Sequence, residues 1–138
     1  MVKIYHAIQI STFLLTSACL ATEMPACPEL LETRQDAISA PSGWSASPHI
    51  GPHRFHRVTF KFESDPGELR EDGETRKQGL IFYHWDFPPL DGLQLVCEYD
   101  DTNATLIRPL KAKSCDVANR EIYGGETTVS TSCDLIPN

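Results

Sequence analysis

Apolar and polar positions alternate with a period of two along much of this chain, which is the pattern of strands that bury one face. Leu93, Leu95, Cys97 and Tyr99 alternate with Gln94, Val96, Glu98 and Asp100, and the polar run Asp100-Asp101-Thr102-Asn103 supplies a reversal. A hairpin is therefore predicted over residues 92–110. His56, Val58, Phe60 and Phe62 alternate with Arg57, Thr59 and Lys61 until the turn signal Ser64-Asp65-Pro66-Gly67. Ile81, Tyr83, Trp85 and Phe87 form a third run, apolar on nearly both faces and stopped by Pro88-Pro89. A closing hairpin is predicted over 113–135.

Between these runs the pattern weakens. Residues 25–38 read as an edge strand through Thr33, Gln35 and Ala37, with a short helix around Leu30 and Leu31 as the competing reading. Ala40-Pro41-Ser42-Gly43 reads as a turn that delivers Trp44 to the core, and Ser47-Pro48-His49-Ile50-Gly51-Pro52 as a loop, because proline and glycine interrupt regular structure. Residues 68–77 are mostly charged and almost free of apolar side chains, which predicts an exposed loop or frayed helical turn. The fold class is all-β, with at most one short helix: a small antiparallel sheet or sandwich-like domain.

The N-terminus differs in kind. Lys3 is its only fixed charge, and residues 7–21 are apolar but interrupted by Gln9, Ser11 and Thr12. The stretch is short for a membrane span and reads as a signal peptide over 1–21, leaving one exported domain over 22–138. Thr16-Ser17-Ala18-Cys19 is a flawed lipobox, so membrane attachment, as an outer-membrane lipoprotein, arises only if Cys19 is lipidated. Removing residues 1–21 leaves 11 Lys and Arg against 19 Asp and Glu, a formal charge of −8. That balance argues against nucleic acid as a partner and favours a basic one.

Cleavage or acylation takes Cys19 out of the disulfide count and leaves Cys27, Cys97, Cys115 and Cys133. Four cysteines in an exported chain predict two bridges, and without any Cys-x-x-Cys pair a structural zinc site has little support. Three connectivities are possible, and register favours one of them. A three-residue loop at Tyr123-Gly124-Gly125 pairs Ile122 with Glu126, and counting outward along both strands then sets Cys115 opposite Cys133. Cys27 is left to bridge Cys97.

Candidate chemistry is sparse. His49, His53 and His56 with His84 offer imidazoles, but their spacing crosses a Pro/Gly loop and does not imply convergence on a metal. Asp100 and Asp101 fit turn chemistry, and Glu68, Glu71 and Asp72 lie in a solvated charge run. No Gly-x-Ser-x-Gly motif places a nucleophile, and Asn103-Ala104-Thr105 is only a short glycosylation pattern. The expectation is a protein that is not an enzyme and takes no cofactor and no metal.

An ordered set of short motifs carries a resemblance: Cys27-Pro28, Gly43-Trp44, His53-Arg54-Phe55 before Val58-Thr59-Phe60, Pro66-Gly67-Glu68, Trp85-Asp86-Phe87, Cys97-Glu98-Tyr99 with Thr102, and Cys115-Asp116-Val117. In that order they resemble a family of small cysteine-containing proteobacterial exported proteins, first noted in an enterobacterial pathogenicity island with type VI secretion genes. Leu95 stands where that pattern leads one to expect an aromatic, and the histidine-rich loop lies outside it. The resemblance implies a periplasmic, non-catalytic binding protein, and its genetic setting an immunity protein that neutralises a peptidoglycan-targeting type VI effector. The alternative is a lysozyme-inhibitor-like or other envelope lipoprotein. For the partner surface, the expectation is the acid-rich segment 68–74, through Glu68, Glu71 and Asp72, with the turn 87–92, through Phe87 and Leu90: an apolar anchor with an acidic rim facing a basic cell-wall enzyme.

Overall fold

The computed structural model describes Met24 and residues 26–36, 39–43, 45–47 and 49–137, so the expectations for the signal peptide and for Trp44 lie outside the described residues. Eight strands follow in order: β1 Leu30–Gln35, β2 His49–Phe62, β3 Gly73–Lys77, β4 Leu80–Asp86, β5 Leu93–Tyr99, β6 Thr105–Pro109, β7 Ala112–Ile122 and β8 Gly125–Leu135. They form two four-stranded antiparallel sheets, β1-β2-β5-β6 and β3-β4-β7-β8. No helix occurs among the described residues.

The alternating runs seen in the sequence supply the core. Val58, Phe60 and Phe62 of β2 and Leu93, Leu95, Cys97 and Tyr99 of β5 turn one face inward, against Trp85 of β4 and Cys115 and Val117 of β7. Phe60, Leu95, Val117 and Cys115 are fully buried. Each large side chain taken out of water here contributes about 1.5–3 kcal/mol. Phe60 meets both Trp85 and Phe87 edge-on, at 5.1 and 5.2 Å between ring centroids, so it joins the first sheet to the second and to the turn after β4.

Two expectations are corrected. Residues 73–77 are not loop or helical turn: they form β3, paired with β4 from Gly73 opposite His84 to Lys77 opposite Leu80. All five residues are exposed, so the strand has no apolar alternation to betray it, and a tight turn at Gln78-Gly79, both at positive φ, folds it onto β4. His49–Arg54 is also strand rather than loop, because β1 pairs with it from Arg54 back to His49. Pro52 is tolerated there because β5 joins β2 only from Phe55 onward, which leaves this part of β2 an edge on that side.

The strand β2 therefore changes neighbours along its length. Beyond residue 54 β1 no longer covers it, and three groups from elsewhere take over its exposed backbone. Thr127 Oγ1 donates to the His56 carbonyl at 3.0 Å, the Val58 amide donates to Thr128 Oγ1 at 3.0 Å, and the Leu69 amide donates to the Phe60 carbonyl at 2.7 Å. A bulge between Phe55 and Arg57 accompanies the handover. Two hydroxyls of β8 thus stitch the sheets together, and the segment after β2 is laid along its open edge.

Both expected disulfides are present, Cys27–Cys97 and Cys115–Cys133. The second pair does stand opposite one another, but the loop has two residues rather than three: Ile122 pairs with Gly125, with Gly124 at φ 92° in the turn. That register alone would set Cys115 against Ser132. A bulge restores it, since Asn119 pairs with Thr128 while Ala118 pairs with Ser130, and Val129 is the extra residue. The Cys27 bridge ties the N-terminal segment to the central strand β5, helped by Tyr99 Oη donating to the Pro28 carbonyl at 3.0 Å.

His84 links strands of the second sheet on its outer face. Its Nδ1 lies 2.7 Å from Asp116 Oδ1 and its Nε2 3.3 Å from Asp86 Oδ1. The hydrogen bond to Asp116 raises its pKa against some desolvation, with Asp86 adding to the rise.

Two outcomes are expected. Unfolded, unreduced protein without residues 1–21 should show no reactive thiol, and replacing either cysteine pair by alanine should cost about 3–4 kcal/mol in urea unfolding, following the closed spans of 70 and 18 residues; an unchanged midpoint in either double variant would contradict this. Because folding raises the pKa of His84, its contribution is complete below the ordinary histidine value and is lost as pH rises through the elevated one. His84→Gln should therefore be less stable than the parent by about 0.5 kcal/mol in mildly acidic solution, the scale of an exposed pair, and the gap should close in alkaline solution.

Candidate partner-binding surfaces

The seam between β2 and β8 shapes a cleft of about 350 Å³. Its walls come from Arg57, Val58 and Thr59 of β2, Glu68 and Glu71 of the following segment, Tyr83 and Trp85 of β4, Asn119 of β7 and Glu126 of β8. On the first-sheet side, Arg57 Nε donates to Glu98 Oε2 at 2.5 Å, across the β2–β5 pair, and its Nη2 donates to Glu68 Oε2 at 3.2 Å. The hydrogen bond to Glu98 holds the guanidinium pKa above its usual value against desolvation, and the charges of Glu98, Glu68 and Glu126 add to that. Arg57 is a fixed cation between two carboxylates.

On the second-sheet side, Glu126 is fixed through both oxygens. Tyr83 Oη donates to Oε1 at 2.9 Å and Asn119 Nδ2 to Oε2 at 3.1 Å. Thr128 Oγ1, which accepts from the Val58 amide, passes its own proton to Asn119 Oδ1 at 3.0 Å, so the buried Asn119 is satisfied through donor and acceptor alike. Burial, and then the bond to Glu126, push the Tyr83 phenol up to about 12, which keeps it a proton donor. Trp85 Nε1 donates to the Leu69 carbonyl at 3.2 Å and anchors the segment bearing Glu68 and Glu71. Chemically the cleft offers fixed carboxylates, a phenol and aromatic walls; no hydroxyl or thiol among its described lining residues is hydrogen-bonded to a histidine.

A second cleft, of about 480 Å³, lies at one end of the molecule and is largely apolar. Phe87, Pro88, Pro89 and Leu90 form one side, Pro109, Leu110 and the stems of Lys111 and Lys113 another, with Ile136 and Pro137 closing it. Its backbone is tied down by Phe87 N to Lys113 O at 2.8 Å and Ile136 N to Lys111 O at 2.9 Å. Leu90 is 63% exposed, an uncommon state for a leucine held by prolines.

Four of the five residues singled out in the sequence are thus distributed over two clefts, and Asp72 lines neither. Glu68 and Glu71 line the first, Phe87 and Leu90 the second. Asp72 and Phe87 also have structural tasks: Asp72 Oδ2 accepts from the Asp86 amide at 2.7 Å, and Phe87 packs on Phe60. Sequence reasoning missed Arg57, Tyr83, Asn119 and Glu126, whose only sequence signal was a polar or half-polar place within a strand, legible once the cross-strand partner is known.

Among the described side chains, His53, His56 and His84 do not converge, and that of His49 lies outside them. His53 is buried, with Nδ1 2.8 Å from the Asp100 carbonyl and Nε2 2.7 Å from Thr33 Oγ1, which joins β1 to the turn after β5. His56 Nδ1 lies 3.0 Å from Asp100 Oδ1 but is not aligned for a hydrogen bond. Among the described residues no group of three or more His, Cys, Asp or Glu side chains is placed to hold a metal ion.

Neither a curated protein nor a solved structure matches the chain. The type VI secretion system Tli immunity protein family matches residues 50–134, which run from the second residue of β2 to the penultimate residue of β8 and include both clefts' principal walls, Cys97, Cys115 and Cys133. That match covers more than half of the 138 residues, and the chain belongs to the type VI secretion system Tli immunity protein family.

Proposed function

We propose that this protein is a periplasmic immunity protein that binds and neutralises a toxic effector delivered by a type VI secretion system. The observation that carries the reading is the family match across seven of the eight strands. Two disulfides in so small a domain fit an oxidising compartment, where an exported chain meets an effector acting on the envelope. The action proposed is binding alone. A sandwich stapled at both sheets presents its clefts with little ordering cost, so most of the contact energy remains for affinity.

The finer reading is that the effector attacks peptidoglycan and is basic, and that the chain remains soluble in the periplasm unless Cys19 carries lipid. The partner surface in this reading comprises Glu68, Glu71 and Leu90, with Asp72 and Phe87 holding them in place. The excess of acid, 19 Asp and Glu against 12 Lys and Arg, speeds encounter with a basic partner.

The test is growth. A type VI effector encoded beside this gene, directed to the periplasm of a laboratory strain, should arrest growth, and co-expression of the full chain should restore it. The same chain lacking residues 1–21 and kept in the cytoplasm should not. Leu90→Asp should weaken the complex at least tenfold without lowering the melting temperature, since Leu90 is exposed. No protection and no complex would refute the immunity reading. Protection against an effector that releases fatty acids rather than wall fragments would retain immunity and replace the target.

A further inference from the structure

We infer that the cleft at the β2–β8 seam receives a single basic side chain, arginine or lysine, from the partner. This rests on the immunity reading for the partner's identity, but the cleft's chemistry stands on its own geometry. Three carboxylates line it, Glu68, Glu71 and Glu126, against the guanidinium of Arg57 and the imidazole of His56, whose Nδ1 lies 3.0 Å from Asp100 Oδ1. That guanidinium is already engaged by Glu98 and Glu68, so its charge is spent on one wall. Across the cleft Glu126 is held by Tyr83 and Asn119, two neutral donors that fix its direction without cancelling its charge. Among the described residues no hydrogen bond or ion pair engages Glu71.

Negative charge alone on a surface is ordinary solvation. Here it lies in a cleft that Tyr83 and the largely buried Trp85 also line, at 6.1 Å between ring centroids. Aromatic rings and carboxylates together suit an organic cation with an apolar stem, because the rings accept the stem and favour the charge while excluding water from it. Arg57 already lies between the carboxylates of Glu98 and Glu68, and an incoming side chain would repeat that arrangement between Glu71 and Glu126. A cleft of about 350 Å³ is of the size for one long side chain rather than a folded segment. An acidic partner residue is disfavoured by the excess carboxylates, and a small anion finds Arg57, already paired with Glu98 and Glu68, and His56, which stands beside Asp100.

The experiment uses the domain without residues 1–21, labelled with ¹⁵N, and N-acetyl-arginine methylamide as probe, with N-acetyl-citrulline methylamide as its uncharged match, at constant ionic strength. The arginine probe should give saturable shifts in the millimolar range at the Trp85 indole and the Gly125 and Glu126 amides, and the citrulline probe should not. Glu71→Gln should weaken binding at least threefold and Glu126→Gln at least as much; Glu71, being exposed, tests the charge without disturbing the Tyr83–Asn119 network. Equal shifts with both probes, shifts confined to other surfaces, or variants that bind as the parent does would overturn the inference. Protection in the growth assay without arginine binding would reject this cleft and leave immunity standing. Arginine binding without protection would reject immunity and leave the cleft.

Discussion

Everything that distinguishes this sandwich depends on how the open backbone edge of β2 is satisfied. A strand of 14 residues is longer than its neighbour β1, which covers only its first half, and a buried carbonyl or amide left unpaired costs about 1–3 kcal/mol. The chain meets that cost with two threonine hydroxyls from β8 and one amide from the segment after β2. Those three bonds fix where β8 passes, and so where Glu126 points. They also hold Leu69 against β2, which sets Glu68 and Glu71 on the opposite wall. The cleft is the space left between the two groups that close the edge.

The disulfides and the core act on either side of that seam. Cys27–Cys97 secures the N-terminal segment and β1 to the first sheet, and Cys115–Cys133 clamps β7 to β8 within the second. Phe60 lies between them, in contact with Trp85 and Phe87. A small domain with a modest core gains from such cross-links because they disfavour the unfolded chain more than they alter the folded one. For a protein proposed to act by binding, the functional consequence is that its surfaces are set before the partner arrives.

Much of the first layer was legible in the residues. Val58, Phe60 and Phe62, then Tyr83 and Trp85, then Leu93, Leu95 and Cys97 carry their strand and their buried face in plain alternation, because a half-buried strand must alternate. Two edge stretches were not, β3 and the start of β2. Gly73–Lys77 is charged throughout and exposed on every residue, so only its pairing with β4 makes it a strand. Pro52 and Gly51 disguised the start of β2 for the same reason, since an edge tolerates what a centre does not. The Cys115–Cys133 pair was anticipated through a loop one residue too long, and Val129, bulged from β8, compensated. Glu68 and Glu71 were visible as acids, yet their meeting with Arg57, Tyr83 and Glu126 is a property of register and of the β2–β8 seam, which no local pattern encodes.

The cleft built at the seam is proposed as the place where the partner engages. Hydrogen–deuterium exchange on the purified complex with its effector is the decisive measurement, because the peptides spanning residues 67–72 and 123–127 carry Glu68, Glu71, Gly125 and Glu126 of the cleft. Both peptides should slow together on complex formation. Slowing confined to β1, β6 or the apolar end around Leu90, with 67–72 and 123–127 exchanging as in the free protein, would contradict it.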